Sequence, residues 1–224
     1  MEYILDTADI ESIRHCNEFY PLAGVTTNPS IIANENTNFW DLVKEIRSII
    51  GHDKLFFVQT VQKTADKIVE EAILLNEKSG GEFCVKIPIS EEGLKATMKL
   101  KSLGIKVLVT AIFTPAQALI AAKAGADYVA PYVNRLDNII ADGCNVVAEI
   151  VEQFKHYNLS CKVLAASFQT AEQVHKCAAV GCQCITVSSD ILKAVITYPM
   201  TDAAIEGFEK DWKNVYGDKT ILDF

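Results

Sequence analysis

Long apolar runs are missing from this sequence: it contains no stretch of about 18 uninterrupted apolar residues, the length a helix needs to cross a bilayer. Its opening, Met1-Glu2-Tyr3-Ile4-Leu5-Asp6, lacks the basic stretch and apolar segment of a signal peptide. No membrane partner and a cytoplasmic location are therefore expected. A basic excess is missing too, since 21 Lys and Arg face 29 Asp and Glu for a net charge of −8. That balance argues against a nucleic-acid or anionic-membrane partner. It does not exclude a phosphorylated small molecule, because a few cations or backbone N–H groups suffice for one phosphate. Histidine is scarce, and His15, His156 and His175 fall on expected helices while His52 precedes a strand. None converges where a catalytic metal in a barrel would need them, so no metal is expected. Neither G-x-G-x-x-G nor G-x-x-x-x-G-K-[ST] occurs, and no cofactor is expected. The seven cysteines are an odd number; Cys177, Cys182 and Cys184 form their only cluster, without the paired Cys-x-x-Cys spacing of zinc sites. Reduced, buried thiols follow.

What is present is a repeated unit, a short apolar run followed by a turn and a stretch of helical period. Strands are expected at 3–7, 24–28, 55–60, 83–88, 106–112, 128–133, 161–167 and 184–188. Helices are expected at 9–19, from 29 through 50, and at 64–78, 91–103, 114–125, 145–157 and 171–180. Thr114 and Pro115 form an N-cap and first turn, Gly125 an end, and Gly80-Gly81 a cap before a strand. Pro131 would cost the sixth strand a ladder hydrogen bond. Eight strands alternating with helices, with no linker or low-complexity segment between them, imply a single-domain (β/α)₈ TIM barrel over residues 1–224. Beyond the eighth unit, Ile205, Phe208, Trp212 and Val215 recur at helical spacing and predict an additional C-terminal helix at 201–217. Packing on its own barrel is the favoured placement. Docking on a neighbouring subunit is the alternative, because a ninth helix has no natural slot in an eight-unit ring, and a homo-oligomer with Trp212 in its contacts is expected.

In such a barrel the chemistry sits at the C-terminal ends of the strands. The positions expected to face inward there are Asp6, Thr26, Asn28, Gln59, Lys86, Thr110, Tyr132, Ser167 and Ser188. Nearly every strand is apolar until its last inward position and polar there, whereas chance placement would scatter the polar residues along the strands. In Phe83-Cys84-Val85-Lys86-Ile87-Pro88 the apolar residues alternate with Cys84 and Lys86. Lys86 therefore points away from the outer apolar layer. Either its amine is desolvated inside the barrel, which lowers its pKa and suits a Schiff-base nucleophile, or its head reaches water at a strand end. Lys106 and Lys162 open their strands at the opposite face, and Lys44, Lys67, Lys99, Lys123 and Lys210 lie on expected helices. Lys86 alone among the lysines occupies the C-terminal half of a strand. Arg135 follows the Tyr132 strand at the mouth, where a guanidinium can grip a phosphate bidentately with help from Ser167. A salt bridge to Asp137 or a bond to a loop carbonyl is the alternative. Turn hydrogen bonds are the simpler use of Thr7, Thr27 and Ser189.

Leu5-Asp6-Thr7, Ala23-Gly24-Val25-Thr26-Thr27-Asn28-Pro29-Ser30, Val85-Lys86-Ile87-Pro88 and Ala130-Pro131-Tyr132-Val133-Asn134-Arg135 closely resemble the small transaldolase family, over essentially the whole chain. The resemblance implies that Lys86 forms a Schiff base with the dihydroxyacetone part of a sugar phosphate. It implies that Asp6 and Asn28 hold the hydroxyls and amine, and that Tyr132, Gln59 and Thr110 position a water or carry the proton. Thr26, Asn28, Ala130, Arg135 and Ser167 are implied as substrate-binding residues, with Arg135 and Ser167 on the phosphate. True transaldolases of the family carry a glutamate where this chain has Gln59 and a phenylalanine where it has Tyr132. That difference implies metal-independent, reversible cleavage of fructose 6-phosphate to dihydroxyacetone and glyceraldehyde 3-phosphate. Transfer of the three-carbon unit between sugar phosphates is the second reading, and a non-catalytic sugar-phosphate-binding protein the third. Thr186-Val187-Ser188-Ser189 departs from the Leu-Pro that follows the threonine in the aldolases of the family. The resemblance also implies a ring-like homo-oligomer, a pentamer or decamer.

Overall fold

The computed structural model describes residues 1–224. Its first half runs β1 (Glu2–Asp6), α1 (Ile10–Phe19), β2 (Leu22–Thr26), α2 (Pro29–Asn34), α3 (Phe39–Ile50), β3 (Leu55–Gln59), α4 (Ala65–Ser79), β4 (Phe83–Pro88) and α5 (Glu91–Ser102). The second runs β5 (Val107–Ile112), α6 (Pro115–Lys123), β6 (Tyr128–Pro131), α7 (Val133–Asp137), α8 (Gly143–His156), β7 (Lys162–Ala165), α9 (Ala171–Ala179), β8 (Cys184–Val187), α10 (Ser189–Ile196) and α11 (Pro199–Tyr216). All strands are parallel and pair in chain order, and β8 closes on β1 through Glu2 opposite Cys184 and Leu5 opposite Val187. The fold is the expected TIM barrel with an extra C-terminal helix. No helix is long and apolar enough to cross a membrane.

Period-two alternation along each strand divides the core into two layers. Leu5, Val25, Phe56, Val58, Val85, Ile87, Val107 and Val163 face outward into the shell of helices. Ile4, Phe57, Cys84, Leu108, Tyr128, Leu164 and Cys184 fill the barrel interior, with the Phe57 and Tyr128 rings edge-to-face at 5.4 Å. At the N-terminal end of the barrel the strand-opening lysines are tied to acids, Lys106 to Glu82 and Lys162 to Glu2. Gly80 and Gly81 turn the chain there with φ of 62° and 58°. A Cβ on Gly81 would lie 2.7 Å from the His52 carbonyl oxygen, so the turn excludes any side chain.

Three departures from the expected elements have local causes. The single helix expected from 29 through 50 is two, because Asn36 adopts φ 47° and the Asn38 side chain accepts from the Trp40 and Asp41 amides to cap a new helix. The sixth strand ends at Pro131 and the chain coils at once into α7. Tyr132 keeps only an isolated bridge to Ala166. The third departure is the tail. Residues 193–224 are exposed throughout, which overturns packing of the terminal helix on its own barrel. Trp212 is instead held locally, its indole N–H donating to the Lys219 carbonyl at 2.6 Å and its ring 4.6 Å from that of Tyr216. Ile205, Phe208 and Val215 are left facing solvent.

Candidate active site

Alternation along β4 sets the central residue. Cys84 lies in the inner packed layer, and Lys86, two residues on, faces the same way one pleat nearer the C-terminal end, opposite Gln59 of β3 and Leu108 of β5. Lys86 is 4 % exposed, which removes the alternative of a water-solvated head. Its amine makes a single hydrogen bond, to the Thr27 carbonyl at 3.2 Å. Burial pushes the amine below the usual lysine range, with the Asp6 charge opposing in part.

The end of β2 supplies that carbonyl and organises the residues beside it. Thr26 faces inward, fully buried, and its hydroxyl donates to Asp6 Oδ1 at 2.8 Å while lying 2.5 Å from the Thr186 hydroxyl of β8. Thr27 faces the other way and donates to the Phe57 carbonyl at 3.0 Å, a structural bond of the kind expected for it. Asn28 caps α2, accepting from the Ile31 amide at 3.0 Å, with Pro29 starting the helix behind it. Just past β1, Thr7 accepts from the Asp9 amide.

Across the barrel, the Tyr132 hydroxyl is 3.0 Å from that of Thr110, and its ring is edge-on to Phe113. The Arg135 guanidinium lies over the Tyr132 ring at 4.9 Å from its centre. It is not paired with Asp137, whose carboxylate accepts from the Gly143 amide and the Gln173 side chain. Arg135 therefore sits on α7, stacked and free of any salt bridge. Two non-glycine residues here have left-handed backbones, Ala111 (φ 60°) and Ser167 (φ 62°). The first lies where the β5–β6 register slips between Val109 and Ile112. The second corrects the expectation that Ser167 faces inward by alternation. That parity belongs to Leu164 and Ala166, and Ser167 reaches the mouth only because the chain turns left-handed after β7. Such strain gathers at functional sites.

Lys86, Asp6, Asn28, Tyr132, Arg135 and Ser167 converge on one cavity of about 470 Å³, within the size range of small-molecule sites. Ser188 lines it as well. The other expected residues lie behind this surface. Thr26 and Thr110 are attached through Asp6 and Tyr132, and Ala130 is packed in the inner layer one pleat below Tyr132. Gln59 opens onto a second, apolar cavity of about 360 Å³ beside Phe39 and Trp40, with Asn28 bordering both. The sequence pattern does not single out Thr186, although counting back two from Ser188 marks it as inward; it lines the cavity and bonds to Thr26. Gln169 and Asp190 also line it, and alternation does not reach them because they lie past their strands. No three His, Cys, Asp or Glu side chains are grouped so as to hold a metal ion. All seven cysteines are buried and unpaired, and burial raises each thiol above its usual value, Cys161 to about 12 and Cys182 to about 11. Such thiols are inert.

Among solved structures the chain superposes on a flavocytochrome b2 variant with benzoylformate, at a TM-score of 0.62 and 12% identity, covering 84% of this chain and 57% of the other. It also superposes on a mandelate oxidase variant with an FMN adduct, at a TM-score of 0.57 and 12% identity, covering 81% of this chain and 59% of the other. The chain spans less than two thirds of the length of these proteins, and at such identity the likeness is one of barrel fold. The sequence itself matches, over residues 3–219, the family described as transaldolase/fructose-6-phosphate aldolase. Its match takes in every strand end that carries the buried lysine, its acidic and hydroxyl neighbours and the stacked arginine, and the chain belongs to that family.

Proposed function

We propose that this protein is a Schiff-base aldolase that reversibly cleaves fructose 6-phosphate to dihydroxyacetone and glyceraldehyde 3-phosphate. The observation that carries the reading is the Lys86 amine, buried at the C-terminal end of a closed barrel with one protein hydrogen bond and a depressed pKa. A neutral amine adds to the C2 carbonyl of the ketose, and the carbinolamine takes up one proton and loses water to give the iminium. The C4 hydroxyl then gives up its proton, the C3–C4 bond breaks, and its electrons pass into the iminium to form an enamine as glyceraldehyde 3-phosphate departs. Tyr132, its hydroxyl bonded to Thr110, protonates the enamine carbon, and hydrolysis releases dihydroxyacetone and the free amine. Asp6 and Asn28 hold the hydroxyls of the three-carbon unit. Arg135, free of a carboxylate partner, takes the phosphate with Ser167.

Two side chains favour cleavage over transfer. Gln59 brings no carboxylate to the strand beside Lys86, and Tyr132 supplies an acid to finish the enamine. The second reading, a transaldolase, keeps the enamine until an acceptor such as erythrose 4-phosphate arrives. Borohydride added during turnover should fix the three-carbon unit on Lys86, located by peptide mapping. Free dihydroxyacetone should then appear from fructose 6-phosphate alone; its absence, with glyceraldehyde 3-phosphate and a seven-carbon ketose phosphate formed in turnover only after erythrose 4-phosphate is added, would establish transfer instead. The solvent-facing apolar side of α11 supports a homo-oligomer in which this helix lies on a neighbour. Removing residues 199–224 should lower the particle mass by more than the deleted segment accounts for; subunit number unchanged by the deletion would count against it.

A further inference from the structure

Proton counting along one hydrogen-bond chain assigns a role to Thr186. A carboxylate only accepts, and a threonine hydroxyl has one proton to give. Thr26 spends that proton on Asp6 Oδ1, at 2.8 Å. The 2.5 Å contact between the Thr26 and Thr186 hydroxyls must then run with Thr186 donating and Thr26 accepting. Thr26 is 0 % exposed and Thr186, at the cavity wall, only 2 %, so the contact between them is buried. The backbone makes the contact possible, because β8 and β2 flank β1 and bring Thr186 and Thr26 in from its two sides.

From this chain we infer that Thr186 is a positioning residue for the proposed Schiff-base chemistry: by donating to the Thr26 oxygen it anchors the hydroxyl that holds the Asp6 carboxylate at the wall of the cavity that Lys86 also lines. The inference deepens the Schiff-base reading and rests on it. With the relay intact, Asp6 Oδ1 is occupied and the carboxylate cannot turn freely. Without the Thr186 donor, the Thr26 hydroxyl keeps its bond to Asp6 but loses the donor that strengthens and anchors it, and the carboxylate is held less tightly. Geometry near a reacting centre is costly to lose, even when the residue that sets it does not itself react. The loss should fall on turnover and not on binding.

Thr186→Val keeps the shape and removes the donor. It should lower kcat about tenfold to a hundredfold with KM for fructose 6-phosphate within about twofold. Thr186→Ser should restore kcat to within about threefold of the parent. In an Asp6→Asn background, Thr186→Val should cause no further loss, because a residue acting through Asp6 is silent once the carboxylate is gone. An unchanged kcat, a loss confined to KM, or the same fold-loss in both backgrounds would overturn the relay. If the valine variant does not fold, Thr186→Cys decides the same question. Its thiol is a poorer donor, so kcat should fall below that of Thr186→Ser, with the same silence in Asp6→Asn; a kcat equal to the parent's would overturn the relay. Borohydride with dihydroxyacetone, run on the parent enzyme, separates the two levels. A parent that takes no label on Lys86 refutes the Schiff-base reading itself, whereas a labelled parent with an unaffected Thr186→Val refutes the relay alone.

Discussion

The same eight strands build two unlike regions inside one barrel. In the N-terminal half of the interior, Ile4, Phe57, Cys84, Leu108, Leu164 and Cys184 interdigitate as an apolar plug. One pleat further along, the inward positions of several of these strands become Asp6, Lys86, Thr110 and Thr186. A single residue of chain separates Cys84 from Lys86, and Ile4 from Asp6. The plug shuts out water and gives the polar ring a dry floor. That floor is why a lysine can stay buried and why its pKa falls. A site of this kind is placed by strand length and parity and needs no inserted loop.

If the upper ring is the chemistry and the plug only its support, substitutions should split accordingly. The largest effect is expected from Lys86→Arg, which keeps the charge but removes the nucleophile: activity should fall at least about 10⁴-fold with no borohydride adduct, while sugar phosphate still binds. Activity within tenfold of the parent would erase the distinction between the two regions. Ile4→Ala, directly beneath Asp6, should cost about 2–5 kcal/mol of stability through the cavity it leaves. Its kcat per folded molecule, measured where folding is complete, should stay within severalfold of the parent. A loss of kcat comparable to that of Lys86→Arg would mean that the plug is part of the reacting site. Tyr132→Phe comes next, with kcat lower by about a hundredfold and the Lys86 adduct still formed, because protonation of the enamine is slowed while its formation is not.

How far the sequence discloses this arrangement depends on which rule places a residue. Lys86, Asp6 and Thr26 follow from strict alternation in regular strands, and all three are found where alternation puts them. Arg135 is found at the mouth, but on α7, a helix hidden because Pro131 ends β6 in the middle of an apolar run that continues to Val133. Ser167 reaches the cavity through a left-handed residue after its strand, which period-two reasoning cannot anticipate for a serine. Thr186 obeys alternation yet stands out less than Ser188, because a threonine inside an apolar strand reads as ordinary β propensity. The side-chain partner that gives it meaning, Thr26, is 160 residues away in the chain. The tail illustrates the opposite limit. Its amphipathic period specifies a helix correctly but carries no information on which surface covers the apolar side.

The smallest expected effect concerns the boundary between plug and ring, where a charge is held against an apolar floor. Lys86 has a lower pKa in the folded chain than in the unfolded one, where about 10.4 applies. Below the folded value the lysine is protonated in both states, and the buried charge opposes folding in full. Between the two values the unfolded chain holds the proton and the folded chain does not, so stability rises with pH across that window. Above both values the penalty is gone. Lys86→Met, close in volume and without charge, should therefore be more stable than the parent near neutral pH, by a margin that shrinks as pH climbs toward the ordinary lysine range. Urea midpoints for the two proteins at about pH 7 and about pH 10, at one protein concentration, measure that margin, and any gain from thioether packing cancels in the difference because it does not titrate. A margin that is constant or widens with pH would mean that Lys86 is as well solvated when charged as a surface lysine, and that the plug does not desolvate the ring above it.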